Sequence, residues 1–172
     1  MLNSNRVIHA SRLGDFSIDM ARTLIIGFGN PLRGDDAVGF LAAERLREHV
    51  LGADVEVLAR HQLTPELMEP IGRAERVIFI DAALEGEPGG ISAARVEARP
   101  DAEAAFTHFA TPGALLAGAR MLYGESPAAV LICITGRDFG IGDRLSEPVG
   151  RALEELVKSG VGGLMARCPW PS

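Results

Sequence analysis

Cysteine is nearly absent from this chain: there are two in 172 residues, Cys133 inside an apolar run and Cys168 near the end. Two are too few for a disulfide framework or a cysteine-built zinc site, and the cytoplasm is the expected compartment. No apolar run approaches the ~18–20 residues of a membrane span. The first 22 residues also lack the unbroken apolar segment of a signal peptide, because Arg6, Arg12, Asp15 and Asp19 interrupt it. No lysine- or arginine-rich block occurs and the formal net charge is −6, which argues against nucleic acid or an anionic membrane surface as the main partner. Repeats, low-complexity tracts and linkers are missing too.

What is present is a globular composition, 47% hydrophobic, in a length that fits one domain with a substantial core. Residues 1–22 read as a loose leader, with Met20 near enough to the first strand to be an alternative start, and residues 23–172 as a single domain. Thr23-Leu24-Ile25-Ile26 is a short apolar strand ending in glycine, and Val38, Leu41, Ala42, Leu46 and Val50 then recur at helical spacing. Val55–Leu58 is a second strand. Thr64 and Pro65 suit the cap and first position of a short helix over residues 66–73, and Arg76–Ile80 is a third strand that delivers Asp81 at its end. Alternating strands and helices predict an α/β domain of three layers: a mostly parallel, mixed sheet of about five strands with helices on both faces. Ligands of such sheets collect beyond the carboxyl ends of the strands, the edge that receives Asp36 and Asp81.

In the second half, Ile91–Glu97 reads as an edge or antiparallel strand. Thr111 and Pro112 cap a helix with Leu115, Leu116, Ala119 and Leu122 on its buried stripe. Ala129–Thr135 is an apolar strand expected at the centre of the sheet, followed by a glycine-rich loop from Gly136 to Asp143. Ser146 caps a last helix with Val149, Leu153, Leu156 and Val157 inside, and residues 160–172 read as a tail.

The stretch most informative about chemistry is Gly27-Phe28-Gly29-Asn30-Pro31-Leu32-Arg33-Gly34-Asp35-Asp36, at the first strand-to-helix crossing. A dinucleotide-binding loop needs a third glycine where Leu32 stands and a helix start free to take phosphate on its N–H groups. Asp35 and Asp36 sit there instead. A helix start carries roughly +0.5 charge, so two carboxylates reverse its sign and favour a cation.

Together with Gly39, the acid closing the third strand and a histidine just ahead of a Leu-rich helix, these residues resemble the hydrogenase maturation proteases. Members of that family trim the C-terminal tail from the nickel-loaded large subunit of [NiFe] hydrogenases. The resemblance runs from about Thr23 to the last helix. It implies that Asp36, Asp81 and His108 are both the metal-contacting and the catalytic residues. It further implies that the nickel they contact is carried by the precursor, and that no organic cofactor is used. Two carboxylates and an imidazole suit such an ion and leave coordination positions open for substrate groups. The partner implied is the [NiFe] hydrogenase large-subunit precursor, met by a monomer in the cytoplasm. The turn Arg60-His61-Gln62-Leu63-Thr64-Pro65-Glu66-Leu67 departs from a common family pattern, Asp-Gly-Gly-Thr, and looks like the branch serving cytoplasmic NAD(P)-linked or related hydrogenases.

No Gly-x-Ser-x-Gly elbow is present and neither cysteine has a nearby histidine in sequence, so metal-assisted hydrolysis is the expected route, with a carboxylate as base. Asp35 is open to two readings, that base or a helix N-terminal charge. Simpler readings stand beside each residue: positive φ or close packing for Gly27, Gly29 and Gly34, a turn for Asp81, an exposed loop position for His108, apolar filling for Cys133, and loop shaping or substrate contact for Asn30 and Arg33. His61 is a second candidate histidine at the same edge. The alternative function is a non-cleaving metal-site checkpoint or nickel-delivery protein. A nucleotide-binding module and an aminopeptidase with its own two-metal site are weaker fits to the same residues.

Overall fold

A computed structural model of the chain describes residues 22–49, 54–99, 110–168 and 170. The leader up to residue 21 and His108 lie outside the described residues. The elements in order are β1 (Thr23–Phe28), α1 (Val38–His49), β2 (Val55–Arg60), α2 (Met68–Arg73), β3 (Arg76–Ala83), β4 (Ile91–Val96), α3 (Pro112–Tyr123), β5 (Ala128–Thr135) and α4 (Glu147–Arg167). Single 3₁₀ turns, Gly34–Ala37 and Pro65–Leu67, precede α1 and α2. This is the expected α/β domain.

The sheet has five strands in the order β2-β1-β3-β5-β4, parallel except for β4, which runs antiparallel along β5 at the edge. Strand alternation divides the core into two layers. Ile25, Ile78, Ile80, Ile132 and Ile134 pack under α1 and α4, whereas Leu24, Ile26, Val77 and Phe79 pack under α2 and α3. Both faces are covered, which explains why these strands read as continuous apolar runs. The chain leaves β1 for β2 on one side, and β3 then docks on the other side of β1. The switch point of the sheet is therefore the crevice at the carboxyl ends of β1 and β3.

Several boundaries differ from the sequence reading. Strand β3 continues to Ala83, so Asp81 lies within its last residues rather than beyond it. Strand β5 is interior but one place off centre, because β3 holds the middle. Leu122 is exposed, since the stripe of α3 stops contributing to the core after Ala119. Residues 161–167 form helix rather than tail: α4 bends at Gly160, whose φ of 62° interrupts it, and resumes because Leu164 buries against the α1 and α4 layer. Thr111 caps α3 as expected, its hydroxyl oxygen accepting the Ala114 N–H at 3.2 Å. Among the described residues, no helix is long and apolar enough to cross a membrane.

Candidate active site

Close packing brings the loop after β1 into position. A Cβ on Gly39 would lie 2.2 Å from the Ile80 carbonyl oxygen and 2.4 Å from that of Phe28, so only glycine lets the start of α1 sit on β1 and β3. Gly29 is held by the same geometry, with a φ of +143° and the Asp36 carbonyl oxygen 1.8 Å from where its Cβ would be. These glycines set the distance between the Asp36 turn and the end of β3.

Asp35 and Asp36 are adjacent but point to different tasks. Asp35 is fully buried, and four hydrogen bonds occupy its carboxylate. Oδ2 accepts the N–H groups of Arg137 and Asp138 at 2.7 and 2.9 Å and the Ser146 hydroxyl at 2.8 Å, while Oδ1 accepts the Ser146 N–H at 2.7 Å. Burial raises its pKa, but these bonds together outweigh burial and leave the carboxyl below its ordinary value. Asp35 is thus neither base nor simple helix charge; it fastens the β1 loop to the loop after β5. Ser146 stands at the start of α4 with extended backbone, yet its hydroxyl serves Asp35 instead of capping the helix.

Asp36 faces the other way, into a cleft of about 460 Å³ lined by Asn30, Arg33, Asp36, His61, Gln62 and Asp81 among others. Its Oδ2 accepts the Asn30 N–H at 2.9 Å, and the Asn30 side chain in turn accepts the Leu32 N–H at 2.9 Å. Asp81 repeats the arrangement, with Oδ1 accepting the Ala82 N–H at 2.8 Å. Each carboxylate therefore has one oxygen oriented by the backbone and a second that takes no hydrogen bond from a described residue. Burial pushes the Asp81 carboxyl up to about 6, the Ala82 N–H opposes that rise, and the Asp36 carboxylate adds to it. Like charges facing one cleft are unfavourable until a cation or proton arrives.

The neighbours of Asp81 were not evident from sequence. Sheet register puts Cys133 beside Asp81 and Ser92 beside Cys133. Burial, and then the Asp81 carboxylate, push the Cys133 thiol up, which keeps it protonated and makes it a poor nucleophile. Cys133 is half-buried, and its place beside Asp81 follows only from strand pairing between residues distant in sequence. His61 reaches the same cleft, exposed, with its ring 5.2 Å from that of Phe40. Arg33 both lines the cleft and reaches the Phe139 carbonyl at 3.5 Å. Asp36, Asp81 and His61 thus line one cleft without converging on a single point. Among the described residues, no cluster of three or more His, Cys, Asp or Glu side chains is close enough to hold a metal ion.

Comparison with known proteins gives a consistent picture. No protein-family model and no curated protein sequence matches the chain. Among solved structures, it is similar to the [NiFe] hydrogenase maturation protease HycI of Thermococcus kodakarensis KOD1, with 30% identity, a TM-score of 0.66, and 80% of this chain and 88% of that one covered. It is likewise similar to the hydrogenase maturating endopeptidase HybD of E. coli, at 25% identity and a TM-score of 0.66 over 84% and 93% of the two chains. A hydrogenase 2 maturation peptidase from Thaumarchaeota archaeon SCGC_AB-539-E09 is 27% identical, with a TM-score of 0.59 over 83% and 97%.

Proposed function

Given that this chain belongs to the hydrogenase maturation proteases and is a peptidase of hydrogenase processing, we propose that it removes the C-terminal extension of a nickel-loaded [NiFe] hydrogenase large-subunit precursor. The observation that carries this reading is the pair Asp36 and Asp81. They come from different elements, face one cleft at the switch point of the sheet, and each keeps an oxygen clear of hydrogen bonds from the described residues.

The donor set fits a divalent ion delivered as part of the substrate. Two carboxylates that repel each other in a partly desolvated cleft gain most from a cation that arrives with the precursor, and His108 supplies an imidazole under the same reading. Asp36 and Asp81 hold the metal-bearing end of the precursor so that the peptide bond following it lies over the cleft. A water oxygen bonds to the scissile carbonyl carbon while a carboxylate takes its proton. The C–N bond then breaks, and the proton leaves with the new amine. Recognition of a finished nickel site through these residues makes cleavage conditional on metal loading. The cytoplasm is the compartment this reading assigns.

The test is incubation with the large-subunit precursor of the same cell, with and without nickel, scored by intact mass. Loss of a C-terminal peptide from the nickel-loaded form alone is the expected result. A stable complex with no change in mass would overturn cleavage in favour of a checkpoint that binds the metal site without cutting.

A further inference from the structure

Two large aliphatic side chains stand out on the surface next to the cleft: Leu32 is 66% exposed and Ile141 is 100% exposed. Single exposed aliphatics are common and need no explanation. These two are different because the loops that carry them are fastened to each other. Arg33 and Gly142 form a parallel bridge, with the Gly142 N–H donating to the Leu32 carbonyl at 3.0 Å and the Gly34 N–H donating to the Gly142 carbonyl at 2.9 Å. Leu32 and Ile141 each directly precede a bridge partner, so both stand on the segment where the two loops are joined. Immediately behind the bridge, the buried Asp35 carboxylate binds Arg137, Asp138 and Ser146.

We propose that Leu32 and Ile141 form a preorganised apolar rim on which the folded body of the precursor docks while its C-terminal extension lies in the cleft. The inference rests on the processing reading above. Continuity identifies the occupant: Asn30 and Arg33, on either side of Leu32 and its preceding proline, line the same cleft as Asp36 and Asp81. A tail threaded into that cleft remains covalently joined to the precursor's body, and the body must rest against the adjoining surface. A flexible apolar loop would lose much of its binding contribution to ordering, whereas here the loops are already held by hydrogen bonds. The occupant is therefore a folded protein with an apolar patch beside the base of its C-terminal tail.

The test replaces both residues with serine, Leu32→Ser and Ile141→Ser together, and measures cleavage of the nickel-loaded precursor alongside equilibrium binding. Both side chains are solvent-exposed, so an unchanged thermal midpoint is expected. KM should rise at least tenfold with kcat within twofold, and binding should weaken by the same factor. The control is Met121→Ser with Leu122→Ser, two exposed residues at the far end of α3, which should leave both quantities unchanged. A kcat/KM for the Leu32/Ile141 variant within twofold of wild type would overturn the rim while leaving the protease reading intact. Wild-type binding without cleavage, lost in the rim variant, would sustain the rim and overturn the cleavage. A wild-type chain that neither binds nor cleaves the loaded precursor would overturn both.

Discussion

Ser146 donates two hydrogen bonds to Asp35 across 111 positions of sequence, one from its N–H at 2.7 Å and one from its hydroxyl at 2.8 Å. With Arg137 and Asp138 they hold the loop after β5 against the loop that carries Asp36. The first of the tandem acids is the fastening and the second faces the cleft, so the pair has separable roles.

Asp35→Asn should therefore destabilise the fold. The amide has one fewer accepting oxygen and leaves buried N–H donors without partners, a loss of about 2–4 kcal/mol. The thermal midpoint should drop by roughly 5–15 °C for a domain of this size. Urea denaturation at neutral pH measures it, and a variant as stable as wild type would remove the fastening role. Asp35 also predicts a pH dependence. Its folded pKa lies below the ordinary 3.8, so its contribution is complete above that value and is lost as pH falls through the folded pKa. The acid limb of the stability curve should be shallower in Asp35→Asn.

Asp81 should behave in the opposite sense. Its folded pKa is raised from 3.8 to about 6, so between those values the folded state binds more protons than the unfolded one. Its ionisation therefore opposes folding above about pH 6, and that penalty is relieved as pH falls from 6 toward 3.8. Asp81→Asn should stabilise the protein at neutral pH by about 1–3 kcal/mol while abolishing maturation. Stability and activity moving in opposite directions is the signature of a functional carboxylate; a variant that is both inactive and less stable would assign Asp81 to the scaffold.

Removing the proposed substrate-contacting groups gives a graded series. Asp36→Ala, Asp81→Ala and His108→Ala should each slow precursor cleavage by about 10²-fold or more, the equivalent of several kcal/mol of transition-state stabilisation. His61→Ala, which loses a cleft-lining ring packed on Phe40, should cost less than about tenfold by the same conversion. Single-turnover cleavage followed by mass measures both. Full activity in any of the first three variants would remove that residue from the site.

Gly39→Ala tests the spacing of the site. The added methyl would meet two carbonyl oxygens at 2.2 and 2.4 Å, too close for any rotation to relieve. Overpacking of this kind costs about 1–3 kcal/mol, and the shift of α1 should carry Asp36 away from Asp81. Reduced stability together with a loss of cleavage larger than unfolding explains is the expected result at a permissive temperature. A stable, fully active Gly39→Ala would show that this close approach is dispensable.

Much of this protein was determined by local sequence. Apolar runs bounded by glycine, alternating with helical spacings, sufficed for the α/β class, the mixed sheet and helices on both faces, because solvent exclusion on both sides of a sheet imposes that pattern. Thr111 and Pro112 marked the start of α3, and the placement of Asp36 and Asp81 at the carboxyl edge of the sheet, where ligands of such folds gather, was legible from the strand pattern. The family resemblance had already singled out Asp36, but only the tertiary structure gave Asp35 its task as the fastening between two loops. Neighbouring residues have the same local chemistry, and their roles diverge through partners such as Ser146, far away along the chain. The same holds for Cys133 beside Asp81, for the helix that resumes beyond Gly160, and for the bridge between Arg33 and Gly142. In each case the deciding interaction joins segments whose pairing has no periodic or compositional signal, and it exists only after the sheet and its loops have closed on one another.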